Sequence, residues 1–511
     1  MKVPYRCLFN HELLILGTSQ SPYCSYEDDV SDAQAVGYVK ELKGTGVDAL
    51  MICPNPWQMV MWPSEVDRRW QDEAPIQKEP GPDSNRRYFD KAYYRLRRYM
   101  LSGSDPVALS VNTARESGIA PFISLRMNEA HYARSEECPT MCKLWREHPE
   151  YRLEGRRNLN YLEPEVYTYF QGLIFELLDR YDLDGFECDF MRHPCFFPKE
   201  AMKEGRVCMT RFVSELRGKL DQVGEERGKR IKLSVRAPKK PSEAFDCGLD
   251  VKTWVDKGWI DMIVASSFSF HSTEIDIEGW RALAPETALF GETHFHNKKA
   301  TTPQGHGNNI SRRTNRQLYR TTTLAYLERG ADGISLFNFD YVRDHSMSDP
   351  RRKYFPGVEP PFDVISSLAD ERDLGAGSQF VVVTSGFGML PKPLRDDSQH
   401  GFKVYFPGDF EKPFSSGIVR FEANVTIVHI PGFSVFLNGT KLTEIPVQGE
   451  LFPPLSIEGL PEFHKVRHFS FDPETARHGW NTVAVEVDCP GYNWGHWAGS
   501  ELDRLEVGLF R

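Results

Sequence analysis

Over roughly the first 370 residues, short apolar runs alternate with stretches whose apolar positions recur at helical spacing. Runs bounded by Gly, Pro, Asn and Asp read as buried strands, and the 3.6-residue repeat reads as amphipathic helix. The strands predicted are Leu13–Thr18, Val47–Cys53, Ile119–Met127, Leu183–Phe190, Ile231–Arg236, Ile260–Ser267, Ala288–Thr293 and Gly333–Phe339. Helices are predicted at Asp32–Lys43, Tyr88–Ser117 with a break near Pro106, Pro164–Tyr181, Lys199–Arg227, Gly248–Lys257, Glu274–Leu283 and Ser311–Arg329. Regular alternation of strand and helix gives a parallel sheet wrapped by helices, and eight such units predict a closed (β/α)8 TIM barrel.

After Arg372 the helical period disappears. Short runs divided by Gly, Pro and Asn follow at Gln379–Thr384, Phe402–Phe406, Gly417–Ile430, Ser434–Leu437, Arg467–Phe471, Thr482–Val487 and Leu502–Phe510. This texture predicts an all-β sandwich. Asn438-Gly439 between two such runs is a hairpin signal, because both turn positions need positive φ. The expected organisation is a barrel over residues 1–372 and a β-sandwich over residues 373–511.

Two long segments interrupt the barrel pattern, both after strands. Pro54 to about Asp90 carries Trp57, Trp62 and Trp70, and His294 to Ile310 carries His294, His296 and His306. A barrel builds its site from the segments that follow its strands.

Composition narrows the partners. With 62 basic and 72 acidic residues the net charge is 62 − 72 = −10, which argues against a general nucleic-acid or anionic-membrane binder. The N-terminus lacks the long apolar region of a signal peptide, and no run reaches the length of a membrane span. The ten cysteines form no CxxC pair and read as buried thiols in reduced, cytoplasmic surroundings. The sequons at Asn424 and Asn438 read as chance matches. Oligomeric state is not legible.

The richest stretch is Leu183-Asp184-Gly185-Phe186-Glu187-Cys188-Asp189-Phe190-Met191-Arg192-His193-Pro194. Side chains two apart on a strand share a face, so Glu187 and Asp189 point the same way, and paired carboxylates inside a barrel are costly unless used or partnered. Other rim groups are Arg126 and Asn128 after strand 3, Arg192 and His193 after strand 4, and Arg236 after strand 5. Glu292, His294 and His296 follow from strand 7, and Asn338 and Asp340 from strand 8. Acids on separate strands among Arg, His, Asn and Trp suit glycosidic cleavage, in which one carboxyl group protonates the leaving oxygen and another attacks or stabilises the reacting carbon. Strands 4 and 7 are taken to lie on opposite sides, so Asp189 and Glu292 are the expected catalytic pair, facing each other across the mouth. Glu187, Arg126, Asn128, Arg192, His193, Arg236, His294, His296, Asn338, Asp340 and Trp57 are expected to bind substrate. The arginines and histidines suggest a sugar bearing carboxylate or sulfate groups.

That stretch resembles the strand-4 signature of the glycosyl-hydrolase-like family 10 barrels, roughly Asp-Gly-(apolar)-x-Asp-(aromatic)-x-Arg-(Tyr/His)-Pro. The resemblance implies a TIM-barrel glycoside hydrolase with Asp189 as a catalytic or sugar-contacting carboxylate; the substrate expected is an oligo- or polysaccharide, and no cofactor is expected. An α-amylase-type likeness is looser, since strand 5 offers Arg236 where the general acid would stand. The rival readings are a carbohydrate-binding barrel without catalysis and a metal-dependent hydrolase using His294, His296 and Asp340.

Overall fold

The computed structural model describes residues 3–18, 29–72, 87–130, 140–191, 193–267, 274–299, 311–341, 359–369, 371–383, 390, 392–393, 398–424, 432–452, 464–488 and 501–511. Arg192, His306, Trp494 and Trp497 lie outside them. The chain forms two compact units, Met1–Phe268 with Ile275–Glu292 and Gly330–Ser346, and Ser269–Glu274 with Thr293–Arg329 and Met347–Arg511.

The barrel strands are β1 (Cys7–Glu12), β2 (Ala49–Cys53), β3 (Ala120–Arg126), β4 (Gly185–Asp189), β5 (Lys232–Pro238), β6 (Met262–Ser266) and β7 (Ala288–His294). A hairpin of β8 (His296–Lys299) and β9 (Ser311–Arg313) comes next, and β10 (Gly333–Phe337) is the last barrel strand. The barrel closes in the order β1-β10-β7-β6-β5-β4-β3-β2. Long helices at Pro164–Arg180 and Met202–Arg227 connect β3 to β4 and β4 to β5. The fold is the predicted TIM barrel.

One strand departs from the prediction. The first barrel strand is Cys7–Glu12, and Leu14–Thr18, inside the segment predicted as a strand, is a short helix. The most apolar run near the N-terminus is therefore not the strand. The strand reads as half polar because Asn10, His11 and Glu12 end at the rim, all of them buried. Likewise Ser311–Arg313, predicted to start a helix, is strand, and the helix begins at Arg316 behind an Asn315 cap.

Period-2 alternation sorts the barrel interior into levels. The floor is apolar, made by Leu8, Ala49, Met51, Phe122, Met262, Val264, Ala288 and Phe290. Gly185 belongs at this level because a Cβ there would stand 1.9 Å from the Phe122 ring. Above it, strand register places Ser124 beside Glu187 and Glu187 beside Ser234. Two residues further on, it aligns Arg126 with Asp189 and Asp189 with Arg236. The interior thus passes from hydrocarbon through hydroxyls to charge as it approaches the C-terminal ends of the strands.

The second unit holds strands β11 (Gln379–Val383), β12 (Lys392–Pro393), β13 (Gln399–Phe406), β14 (Ser416–Asn424), β15 (Gly432–Leu437), β16 (Thr440–Lys441), β17 (Thr443–Ile445), β18 (His464–Phe471), β19 (Gly479–Asp488) and β20 (Glu501–Phe510). They form one sheet in the order β11-β20-β14-β18-β17, with β12 on β20, and another in the order β13-β19-β15-β16. Val404, Phe421, Val435, Phe469, Val485 and Leu505 lie in the core cluster that both sheets feed. The β15–β16 turn is Asn438-Gly439, both with positive φ, as the hairpin signal required.

Candidate active site

At the top of the barrel one guanidinium joins the two expected carboxylates. Arg236 Nη1 donates to Asp189 Oδ1 over 2.8 Å, Nη2 donates to Glu292 Oε1 over 2.9 Å, and Nε donates to Glu292 Oε2. Ser266 Oγ lies 3.0 Å from Nη2 and donates to Glu292 Oε1 over 2.5 Å. The underside of Arg236 rests on Phe337, 4.0 Å from its ring centre. Asp189, Arg236 and Glu292 are 1%, 1% and 3% exposed. β4 and β7 are three steps apart around the barrel, with β5 and β6 between them, rather than opposite. The pair therefore meets through Arg236 instead of facing across an open mouth.

The two carboxylates are held differently. Glu292 has donors on both oxygens. Asp189 Oδ1 accepts from Arg236 and from the Met191 N–H at 2.9 Å, and among the described residues Oδ2 accepts no hydrogen bond. Burial pushes Glu292 above the ordinary carboxylate range, against the pull of Arg236 and Ser266. Burial also acts against the charge on Arg236, but Asp189 and Glu292 outweigh it and its pKa is raised.

Glu187 lies one level down. Its Oε1 accepts from Ser124 Oγ at 2.7 Å and its Oε2 from Ser234 Oγ at 2.9 Å. Burial first, and then the Asp189 charge, push it up to about 7, only partly offset by the two hydroxyls and Arg236. Its hydrogen-bond partners are these two serines.

A second ionised group occupies the β1–β3 side. Arg126 Nη2 stands 2.8 Å from Glu12 Oε2, and Nη1 donates to Glu129 Oε2 over 2.8 Å. Burial opposes the Arg126 charge, yet Glu12 and Glu129 are among the neighbours that raise its pKa well above the ordinary value. Asn55 fixes the end of β3 by accepting from the Arg126 N–H and donating to the Arg126 carbonyl. His193, with φ at +63°, brings Nδ1 to 3.4 Å from Glu129 Oε1. Asp340 lies by His11, whose Nδ1 is 3.7 Å from Asp340 Oδ2. Glu12 was hidden by the misplaced first strand, and Glu129 by its position three residues past β3. Alternation ending in Asn10-His11-Glu12 was the signal that could have found the first.

Several expected substrate contacts are placed elsewhere. Asn128 is buried, donating to the Leu159 and Cys195 carbonyls at 2.9 and 2.6 Å and accepting from the Leu159 N–H at 3.0 Å, so its amide pins loops. Trp57, Trp62 and Trp70 are buried and present no open ring to a sugar. Trp62 donates to Glu176 over 3.0 Å, and Trp70 donates to the Val60 carbonyl. Asn338, the residue after β10, takes a left-handed conformation. His294 and His296 lie in the second unit, their rings tilted against each other with centres 4.4 Å apart. Among the described residues no three His, Cys, Asp or Glu side chains gather as metal ligands, and no helix is long and apolar enough to cross a membrane. Arg192 is not among the described residues.

No family model and no curated protein matches the chain, so the family 10 likeness rests on the β4 motif alone. Solved structures that match include a cycloisomaltooligosaccharide glucanotransferase from a Paenibacillus species complexed with cycloisomaltoheptaose, at 9% identity and TM-score 0.32, covering 98% of this chain and 57% of that one. Another is an alpha-L-fucosidase from Paenibacillus thiaminolyticus, at 13% identity and TM-score 0.40, covering 72% and 49%. A third is a chitinase from a Paenibacillus species, at 10% identity and TM-score 0.40, covering 96% and 53%. The chain spans about half the length of each. Likenesses at this distance assign neither substrate nor reaction.

Proposed function

We propose that the chain is a glycoside hydrolase of an oligo- or polysaccharide, with Asp189 and Glu292 as its paired carboxylates. The observation that carries this is the joining of two buried acids from β4 and β7 by one arginine at the C-terminal end of a closed barrel. Cleavage of a glycosidic bond builds positive charge on the anomeric carbon, and a fixed carboxylate beside that carbon stabilises it. Asp189 Oδ2 is the oxygen for that contact, since Oδ1 is taken by Arg236 and Met191. Glu292 completes the pair and holds Arg236 so that Asp189 keeps one orientation.

The sugar at the reacting centre is neutral in this reading. Arg126 and Arg236 each answer two carboxylates, and an anionic substrate would have to draw one of them out of those pairs.

The test is hydrolysis of a glycan panel by wild type, Asp189→Asn and Glu292→Gln, with melting temperatures recorded to separate lost chemistry from lost fold. Wild type is expected to cleave a member of the panel, and Asp189→Asn to lose about 10²–10³-fold in kcat/KM, the order seen when one group that stabilises transition-state charge is removed. Variants that cleave like wild type would remove both residues from the reaction. One observation favours a second reading, a barrel that binds carbohydrate without cutting it: a guanidinium saturated by two acids is also what a purely structural ion pair looks like. Binding without cleavage by wild type would select it.

A further inference from the structure

The sheet β11-β20-β14-β18-β17 gives one face to the sandwich core and carries a layer of charge on the other. Arg420 and Glu422 share that face on β14, as Arg504 and Glu506 do on β20, and strand register sets Arg420 between Glu506 and His468 of β18. All five side chains are buried. Arg420 Nη1 donates to Glu422 Oε1 over 2.7 Å and lies 3.2 Å from Glu506 Oε2, and Arg504 Nε donates to Glu506 Oε1. Two cations answer two acids in this layer, and an imidazolium at His468 would be a third cation.

The segment Pro446–Phe452 covers this face. It has no regular structure, leaves the end of β17 at one edge of the sheet and reaches β11 at the other. Seven extended residues reach about 23 Å, enough for the roughly 19 Å of four strand spacings. Val447 on the segment is 52% exposed, whereas His468 is 0% exposed. Three attachments hold the segment down. The Gln448 N–H donates to His468 Nδ1 over 3.4 Å, Leu451 packs with Leu318, Phe380 and Val382, and Phe452 stacks on Phe510 while its carbonyl accepts from Asn315 Nδ2 at 2.6 Å.

Of these attachments, the imidazole is the one that takes up a proton near neutral pH. Because Nδ1 accepts from Gln448, the neutral ring carries its proton on Nε2, and a second proton has to go to Nδ1, where it meets another N–H. Burial first, and then Arg420, lower the pKa of His468 from its ordinary 6.5, against the pull of Glu506 and the Gly449 backbone. Glu450 on the segment acts on Arg420, and the residue opposite His468 on β17 is Ile445.

We propose that Pro446–Phe452 is an acid-released strap: protonation of His468 displaces the Gln448 N–H, the strap lifts, and the charged layer beneath it opens to solvent. One proton is gained and no bond is broken, so the step reverses when the pH returns. It holds whether or not the barrel cleaves sugars. His468 binds its proton more weakly with the strap closed than with it open. Closure is therefore complete above about 6.5 and weakens by up to about tenfold per pH unit below that, until the closed form is itself protonated.

Hydrogen exchange of the full chain from pH 7.5 to 4.5, with each rate divided by the intrinsic amide rate at that pH, reads the protection of the Gln448 amide. Wild type is expected to lose that protection by up to about tenfold per pH unit below 6.5, while peptides from β14, β18 and β20 keep theirs. In His468→Asn the amide oxygen accepts in place of Nδ1 and does not titrate, so protection is expected to be flat over the same range. Flat protection in wild type would overturn the strap. An equal loss in the variant would overturn it too, by assigning the pH dependence to other groups such as Glu422 or Glu506. A loss shared by all three strands would mean unfolding of the whole sandwich rather than release of the strap. Should His468→Asn fail to fold, the wild-type profile alone decides between local and shared loss.

Discussion

Glu187→Gln isolates the cost of keeping an acid in the second level of the barrel. The side chain is 2% exposed, and its carboxyl is pushed from an ordinary 4.5 up to about 7 by burial and by Asp189. The sign follows from proton binding. Between those two values the unfolded chain has released its proton and the folded barrel still holds one, so stability falls as pH rises from 4.5 through 7 and stays low above it. At about 1.4 kcal/mol per pH unit, a span of 7 − 4.5 = 2.5 makes the loss on the order of 3 kcal/mol at pH 8. Glutamine is neutral at every pH and has nearly the same shape. Ser124 and Ser234 both donate to the carboxylate, and a hydroxyl can turn to accept from the new amide, since hydroxyl rotors adapt to their partners.

The expectation is that Glu187→Gln matches wild type near pH 4.5 and is more stable at pH 8 by up to about 3 kcal/mol. Urea unfolding from pH 4.5 to 8.5 measures it, with hydrogen exchange of the β3–β5 amides reporting the barrel's own opening, because the chain holds two compact units. A difference that stays flat across that range, or a variant less stable at pH 8, would refute the assignment of Glu187 as a carboxyl protonated by its surroundings.

Arg236→Met leaves Asp189 and Glu292 buried without their shared cation. A loss of about 3–5 kcal/mol is expected at pH 8. The loss should shrink toward pH 5, because the stranded acids then have raised folded-state pKa values and regain stability as they protonate; equal losses in urea unfolding at both pH values would point to packing rather than charge. Gly185→Ala drives a methyl to within 1.9 Å of the Phe122 ring, with an expected cost of about 1–3 kcal/mol for overpacking. Combined with Phe122→Leu, the two changes should be clearly less damaging than their sum, and simple additivity in that double-mutant cycle would place the strain elsewhere.

Most of the barrel was legible because its signal is local. Seven of the eight strands overlap the predicted segments, since a buried parallel strand must be a short apolar run. β1 failed for the reason that makes it informative: half its residues are polar because they build the rim, and the more apolar run beside it is a helix packed against the helix Arg87–Leu101. Glu187, Asp189, Arg236 and Glu292 were legible from period-2 spacing at strand ends. Their partners were not, because which arginine meets which acid depends on register between strands far apart in sequence. Asn128 and Trp57, both buried, are the converse case. Both follow strands and have the right chemistry for sugars, but composition says nothing about whether a side chain turns to the cavity or to the loop beneath it.

The charge balance of the rim is the link between fold and proposed reaction. Arg126 faces Glu12 and Glu129, and Arg236 faces Asp189 and Glu292, so two cations answer four carboxylates. As formal charges these two cations and four carboxylates sum to 2 − 4 = −2, in side chains that are all buried. A folded protein holds such a deficit at a cost, since like charges at low dielectric repel strongly. Under the proposed function the cost has a use. A neutral sugar entering the mouth changes the balance little, whereas the transition state brings positive charge to the anomeric carbon and relieves the deficit only at that moment. That difference between ground state and transition state is what accelerates a reaction. Under the same proposal an anionic sugar would add to the deficit in both states, whereas a neutral glycan would not.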